Sequence, residues 1–235
     1  MDGRERLFSK IGQAVAGNPL RVDRAAADRR IDQPRSNLIP ARADLAEAER
    51  LALFIAKSRD LLVEVETVAD TADVPAAVAG FLRRHNLPGK VRLAPALAGL
   101  DWAGQPLLET ATGAATIDDQ VSVTPAVTGI AETGTLVLQS GPDTPPTLHF
   151  VPDNHVVVLH RRQVVRAMED AFALLRATHG AGVLPRTVNL VSGPSRTGDV
   201  EQKIVIGAHG PRRLHILLVD DGPAAEGPAD VAETR

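Results

Sequence analysis

An α/β fold, with a mostly parallel sheet and helices on both faces, is the architecture that this 235-residue chain predicts. Three observations point to it. Runs of strand length recur at Val121–Thr124, His155–Leu159 and Leu214–Val219, and their apolar content suits strands buried on two faces. Amphipathic helical periods occupy residues 44–59, 73–85 and 164–178. Strand and helix alternate along the chain, which indicates βα units and parallel pairing. In such sheets a ligand site is expected outside the carboxyl ends of the strands.

Taken in order, Leu7, Phe8, Ile11 and Val15 fall at helical spacing, so residues 4–16 read as a short amphipathic helix ended by Gly17-Asn-Pro19. Residues 21–42 hold six Arg against three Asp, with Pro34 and Pro40 and no apolar period. They read as an extended basic arm, either solvated or in contact with a partner. Asp44 is placed to cap the helix that follows, and 60–68 reads as a strand. Asp73 opens the next helix, with Pro75 in its first turn, and Leu87-Pro-Gly89 stops it. Lys90–Ala94 is a short strand, and 98–112, with Trp102 and Leu107-Leu108, covers a sheet edge. Glu132-Thr-Gly134 is a tight polar turn before a β-branched strand at Thr135–Leu138, and 141–146 is a Pro/Gly loop. Val188–Val191 reads as a strand that breaks at Ser192-Gly-Pro194. Asp199, with Gln202 three residues on, reads as a helix N-cap, which makes the stretch strand, loop and helix start. Three units are therefore expected: a helix and arm over 1–40, one α/β domain over 41–220, and a disordered acidic tail over 221–235.

Composition excludes several functions. The absence of Cys rules out disulfides, thiolate catalysis and any iron–sulfur cluster bound by this chain's own thiolates. A net charge of −3 gives no electrostatic case for nucleic acid. With no Tyr, one Trp and five Phe, stacking platforms for bases are scarce. No run approaches the ~20 apolar residues of a membrane span. No signal-peptide core follows the first residues, so a cytoplasmic protein is expected. The dinucleotide GxGxxG and the phosphate P-loop are both absent, and the seven His show no metal-ligand spacing.

Two places could carry chemistry. Around the break after Val191, backbone amides, the hydroxyls of Ser192, Ser195 and Thr197, the guanidinium of Arg196 and the expected helix start would gather at one point. With Gly193, Asp199 and Glu201 they form a candidate cradle for a small carboxylate or phosphate. The other place is the turn Glu132-Thr133-Gly134-Thr135, where the carboxylate is either a general base or nucleophile, or a lock accepting hydrogen bonds from turn amides. His155 opens a strand after Pro152-Asp-Asn154, and is either a proton donor or substrate contact, or bonded to its own turn. Ser192 or Ser195 with His155 and Asp199 could form a triad, although no GxSxG elbow is present.

Three segments, GIAETGTLVL (129–138), VPDNHVVVL (151–159) and SGPSRTGDVEQKIVIGAHGPRRLHILLVD (192–220), occur in the order found in one family. The chain resembles the lactate utilisation protein C family (LutC/YkgG), whose core is the LUD domain, over roughly residues 40–220. Lys203 departs from the family's usual uncharged residue. The resemblance implies a sheet similar to the NagB/RpiA/CoA-transferase-like fold. It also implies a part in L-lactate oxidation to pyruvate beside iron–sulfur proteins of A and B type, which would carry the clusters this chain lacks. By analogy with the transferases, Glu132 would be the acidic catalytic group. Two other roles remain open: a stand-alone isomerase- or CoA-transferase-like enzyme acting on a small anion, and a non-catalytic sensor or scaffold.

Overall fold

Val156, Val157, Val158 and Leu159 are consecutive and all buried, yet they enter two separate hydrophobic clusters. Successive strand side chains point to opposite faces, so such a run needs cover on both sides. The computed structural model of the chain describes residues 2–16, 23–33, 37–180, 182–200 and 203–222. They fall into two units, divided after Asn37.

The first unit contains α1 (Gly3–Ala16) and α2 (Arg24–Asp32). α2 lies in the stretch expected to be an extended arm. Asp23 caps it, accepting from the amide of Ala25 at 3.0 Å, and the Ala-rich start favours helix without any apolar period. Pro34 lies outside the described residues.

The second unit runs α3 (Glu47–Asp60), β1 (Glu64–Val68), α4 (Val74–Arg84), β2 (Lys90–Leu93), β3 (Glu109–Thr112), β4 (Val121–Pro125), β5 (Thr128–Ile130) and β6 (Thr135–Gln139). It continues through α5 (Thr147–Phe150), β7 (Asn154–His160), β8 (Val164–Val165), α6 (Met168–His179), β9 (Val188–Val191), β10 (Arg196–Val200), β11 (Lys203–Ile206) and β12 (Arg213–Val219).

Six strands form an all-parallel sheet in the order β1-β12-β7-β4-β2-β3. On one face, Val74, Val78, Phe81 and Leu82 of α4 pack on Val121, Val123, Val156, Val158, Leu217 and Val219. On the other, Phe54 of α3 meets Val157, Leu159, Ile216 and Leu218. The rest of that face is covered by a second, four-stranded sheet, β8-β5-β6-β9, through Leu136 and Leu138. Ala171 and Leu175 of α6 close the far side of this small sheet against Ile130 and Val137.

Several expectations differ from the structure. Asp44 does not cap α3; its carboxylate pairs with Arg166 at 2.9 Å, and the cap position is Ala46. The helix expected over 164–178 starts at Met168, because Val164-Val165 pair with β5 first. Trp102 is buried in the α4-side core with its indole N–H on the carbonyl of Leu97, and β3 itself forms the sheet edge. No helix starts at Asp199. β10 and β11 pair antiparallel, so the helix dipole expected at Asp199 does not exist. Gln202, Glu201 and most of the tail read as disordered (223–235) lie outside the described residues. Among the described residues, no helix is long and apolar enough to cross a membrane.

Phe54 is fully buried where α3 and the small sheet meet the main sheet. Phe54→Ala should lower unfolding free energy by about 3–5 kcal/mol, read from urea titrations followed by circular dichroism. A loss below ~1 kcal/mol would show that this layer is not a packed core.

Candidate functional site

The pleat of β7 places His155 on the same face as Val157 and Leu159, at the amino-terminal end of the sheet. Its register partners are Ser122 on β4 and Leu214 on β12. Here the small sheet ends and polar groups replace apolar ones. Ser122 donates to the carbonyl of Leu148 at 2.6 Å, and the hydroxyl of Thr124 lies 2.8 Å from Nε2 of His155. α5 brings His149 and Phe150 against the same spot, and the His149 and His155 rings stack at 5.7 Å.

The loop after β9 forms the opposite wall. Gly193 has φ +94, and a Cβ there would lie 2.8 Å from the carbonyl oxygen of Leu61, so glycine is required. Ser195 is tied down from three sides. Its amide donates to the carbonyl of Pro211, its carbonyl accepts from Gly207, and its hydroxyl accepts from the amide of His209. These elements enclose a cavity of about 280 Å³, lined by His149, His155, Ser192, Ser195, Arg196 and His209 on its polar side. Phe150, Leu190, Pro211 and Leu214 contribute its apolar wall.

The cavity thus gathers five residues singled out in the sequence: His155, Ser192, Gly193, Ser195 and Arg196. Thr197 follows in β10 without lining it, and Asp199 lies further along β10. Thr133 and Thr135 connect to it by hydroxyls: Thr133 to Thr135 at 2.7 Å, and Thr135 to Ser192 at 2.7 Å. Gly134, at φ +65, has no room for a Cβ against the backbone of Lys57 and Ser58. Glu132 does not line the cavity. Its carboxylate takes the guanidinium of Arg42 at 2.6 Å rather than turn amides, and its own amide donates to the carbonyl of Arg166.

The cavity's place is itself a correction, because it opens at the amino ends of β7 and β12, not the carboxyl ends. A larger cavity, about 790 Å³, does lie at the carboxyl end of β4, along the expected 141–144 loop. Two of the titratable groups there have partners: His179 meets Gln139 at 2.9 Å, and Arg162 meets Asp221. Sequence reasoning missed His149, whereas the Gly-rich turn at His209-Gly-Pro211 leaves that residue open to the same two readings as His155. The six-residue spacing of 149/155 was the available signal, and it bears on stacking rather than metal ligation. Among the described residues, no group of three His, Cys, Asp or Glu is placed to hold a metal ion.

Burial pushes His149 down to about 4. Burial, and then the charge of His149, push His155 down to about 3. Both rings are therefore neutral at neutral pH. Nδ1 of His149 lies 3.3 Å from the amide nitrogen of Asn189, which can only donate. The proton of the neutral ring thus sits on Nε2, and that buried atom has no partner among the described residues. The site offers hydrogen-bond donors and one guanidinium, a set suited to an acceptor-rich anion.

The LUD domain family model matches residues 51–219, and the chain belongs to that family. Lactate utilization protein C of Geobacillus thermodenitrificans is 34% identical over 93 residues, and the match covers 39% of each chain. The uncharacterized protein YkgG of Escherichia coli is 27% identical over 241 residues, covering 94% of this chain and all of that one. A crystal structure of a DUF162 family protein from Deinococcus radiodurans aligns with TM-score 0.54 and 24% identity, over 74% of this chain and 99% of that one, and shares the fold.

The buried histidines make stability depend on pH. Unfolded histidines take up protons near pH ~6.5, whereas the folded His149 and His155 resist until about 4 and about 3. Their stabilisation is complete above pH ~6.5 and is lost as pH falls, at about 1.4 kcal/mol per pH unit for each ring. Urea titrations at about pH 7, 6 and 5 should show this decline, and a flat profile would overturn the neutral assignment.

Proposed function

We propose that this chain is the cluster-free component of an L-lactate utilisation system, acting beside iron–sulfur proteins of A and B type in the oxidation of L-lactate to pyruvate. That oxidation releases two electrons and two protons, and the electrons pass to the partners' clusters. The family match over residues 51–219, together with relatives called Lactate utilization protein C, carries this reading. The chain contains no Cys, which suits a division of labour in which the partners hold the clusters. The donor-rich cavity supports a part in binding a small anion rather than in carrying electrons.

Reconstitution tests the proposal. Purified A- and B-type partners should reduce an electron acceptor with L-lactate at a much higher rate when this chain is present, and it should co-purify with them. The same rate with and without the chain would overturn it.

A further inference from the structure

β3 ends the parallel sheet, and among the described residues no strand lies beyond it. Its four residues, Glu109 to Thr112, are all exposed. The amide of Glu109 donates to the carbonyl of Gly89, and that of Gly113 to the carbonyl of Leu93. Backbone groups alternate along a strand, so Glu109, Ala111 and Gly113 face β2. Thr110 and Thr112 therefore each turn an N–H and a C=O toward the open edge. Such an edge is a template for a further strand unless charge, proline or a bulge blunts it. β1, at the other edge of the sheet, carries Glu64 and Glu66. β3 has one charge, Glu109, and Lys90 on β2 matches it at 3.5 Å. Two large apolar side chains flank β3, Leu107 at 80% exposure and Ile117 at 88%.

We propose that β3 pairs antiparallel with β3 of a second copy of this chain, about a twofold axis at Ala111. The strand is complementary to itself in this register. Thr110 of one copy lies opposite Thr112 of the other, so every outward N–H meets an outward carbonyl across the seam. A register centred on Thr110 would set Thr112 against Leu108, whose amide already donates to the carbonyl of Gln105. Ala111 meets Ala111 where the strands approach most closely, which suits a small side chain. Thr110 and Thr112 share a face, and Thr–Thr pairs across strands are stabilising. The two Glu109 carboxylates fall four residues apart along the seam, roughly 13 Å, so like charges do not meet. Antiparallel pairing also brings Leu107 of one copy to the end of the seam where the loop bearing Ile117 of the other lies. The pairing uses neither the 192–196 cavity nor any partner protein, so it is independent of the proposed function.

Sedimentation equilibrium of the full chain across the micromolar range should give the mass of two chains. Ala111→Lys sets two ammonium groups opposite each other on the axis, and Thr110→Pro removes an outward donor while the bonds to β2 remain. Each should weaken association at least about tenfold with the circular dichroism unchanged. The chain has no Cys, so Ala111→Cys adds its only thiol, and a close antiparallel pair, with Cα atoms about 4.5 Å apart, is within disulfide reach. Ala111→Cys should oxidise to a covalent dimer, whereas Glu109→Cys, beside the same surface hollow, should not. A single-chain mass throughout, a dimer unaffected by both Ala111→Lys and Thr110→Pro, or equal cross-linking at the two cysteines would overturn the proposal. So would a chain that stays single alone and adds a strand of another protein at β3.

Discussion

The two-residue period of β7 is the constraint on which the rest of the structure depends. It commits Val156 and Val158 to one core and Val157 and Leu159 to another, so the sheet must be covered twice. α4 is enough for the first face. The second is wider than α3 alone covers, and the hairpin of β5 and β6 with β9 completes it. The same period then decides where polarity appears. His155 shares a face with Val157, so a ring that would be satisfied in water is buried at the margin of the second core. Thr124, on the same face of β4, supplies the hydroxyl that makes this burial tolerable.

The position of the wall opposite His155 depends on two glycines. Gly134 and Gly193 both have positive φ, and both press onto the end of α3: one on Lys57 and Ser58, the other on Leu61. A side chain at either would push its loop away from the helix. The hydroxyl link from Thr135 to Ser192 joins the turn after β5 to the loop after β9 across adjacent strands. Glu132 precedes Thr133 in the same turn, but it does not line the cavity and its charge is directed to Arg42.

Much of the parallel sheet was legible because strands buried on both faces leave unbroken apolar runs, as at His155–Leu159 and Leu214–Val219. The small sheet was legible only in part: Thr135–Leu138 and Val188–Val191 read as strands, whereas β5 and β8 did not. Its strands are short, and Val164-Val165 read equally well as the start of the helix that follows. The pairing of β10 with β11 was misread for a different reason. Asp199 and Gln202 have capping-box spacing, but Val200, Ile204, Val205 and Ile206 favour strand, and cross-strand pairing wins over a cap. Of the site, the cluster from Ser192 to Arg196 was legible as a break between apolar runs. His149 was not, because α5 has one turn and no period, and only the folded chain brings it within stacking distance of His155.

The amino-end position of the cavity has a physical consequence. In open parallel sheets the carboxyl-end crevice is favoured because helix N-termini converge there and supply positive potential without a charged side chain. In this chain the carboxyl ends of β7 and β12 are tied together instead. His160 meets Asp221 at 2.8 Å, and Arg161 bridges Glu47 at 3.1 Å and Asp220 at 2.9 Å. At the opposite end, antiparallel β6 and β9 deliver the 192–196 loop without any helix behind it. Attraction for an anion must then come from a side chain, and Arg196 is the one placed to supply it. Protonated histidines would add charge, but burial denies them that form.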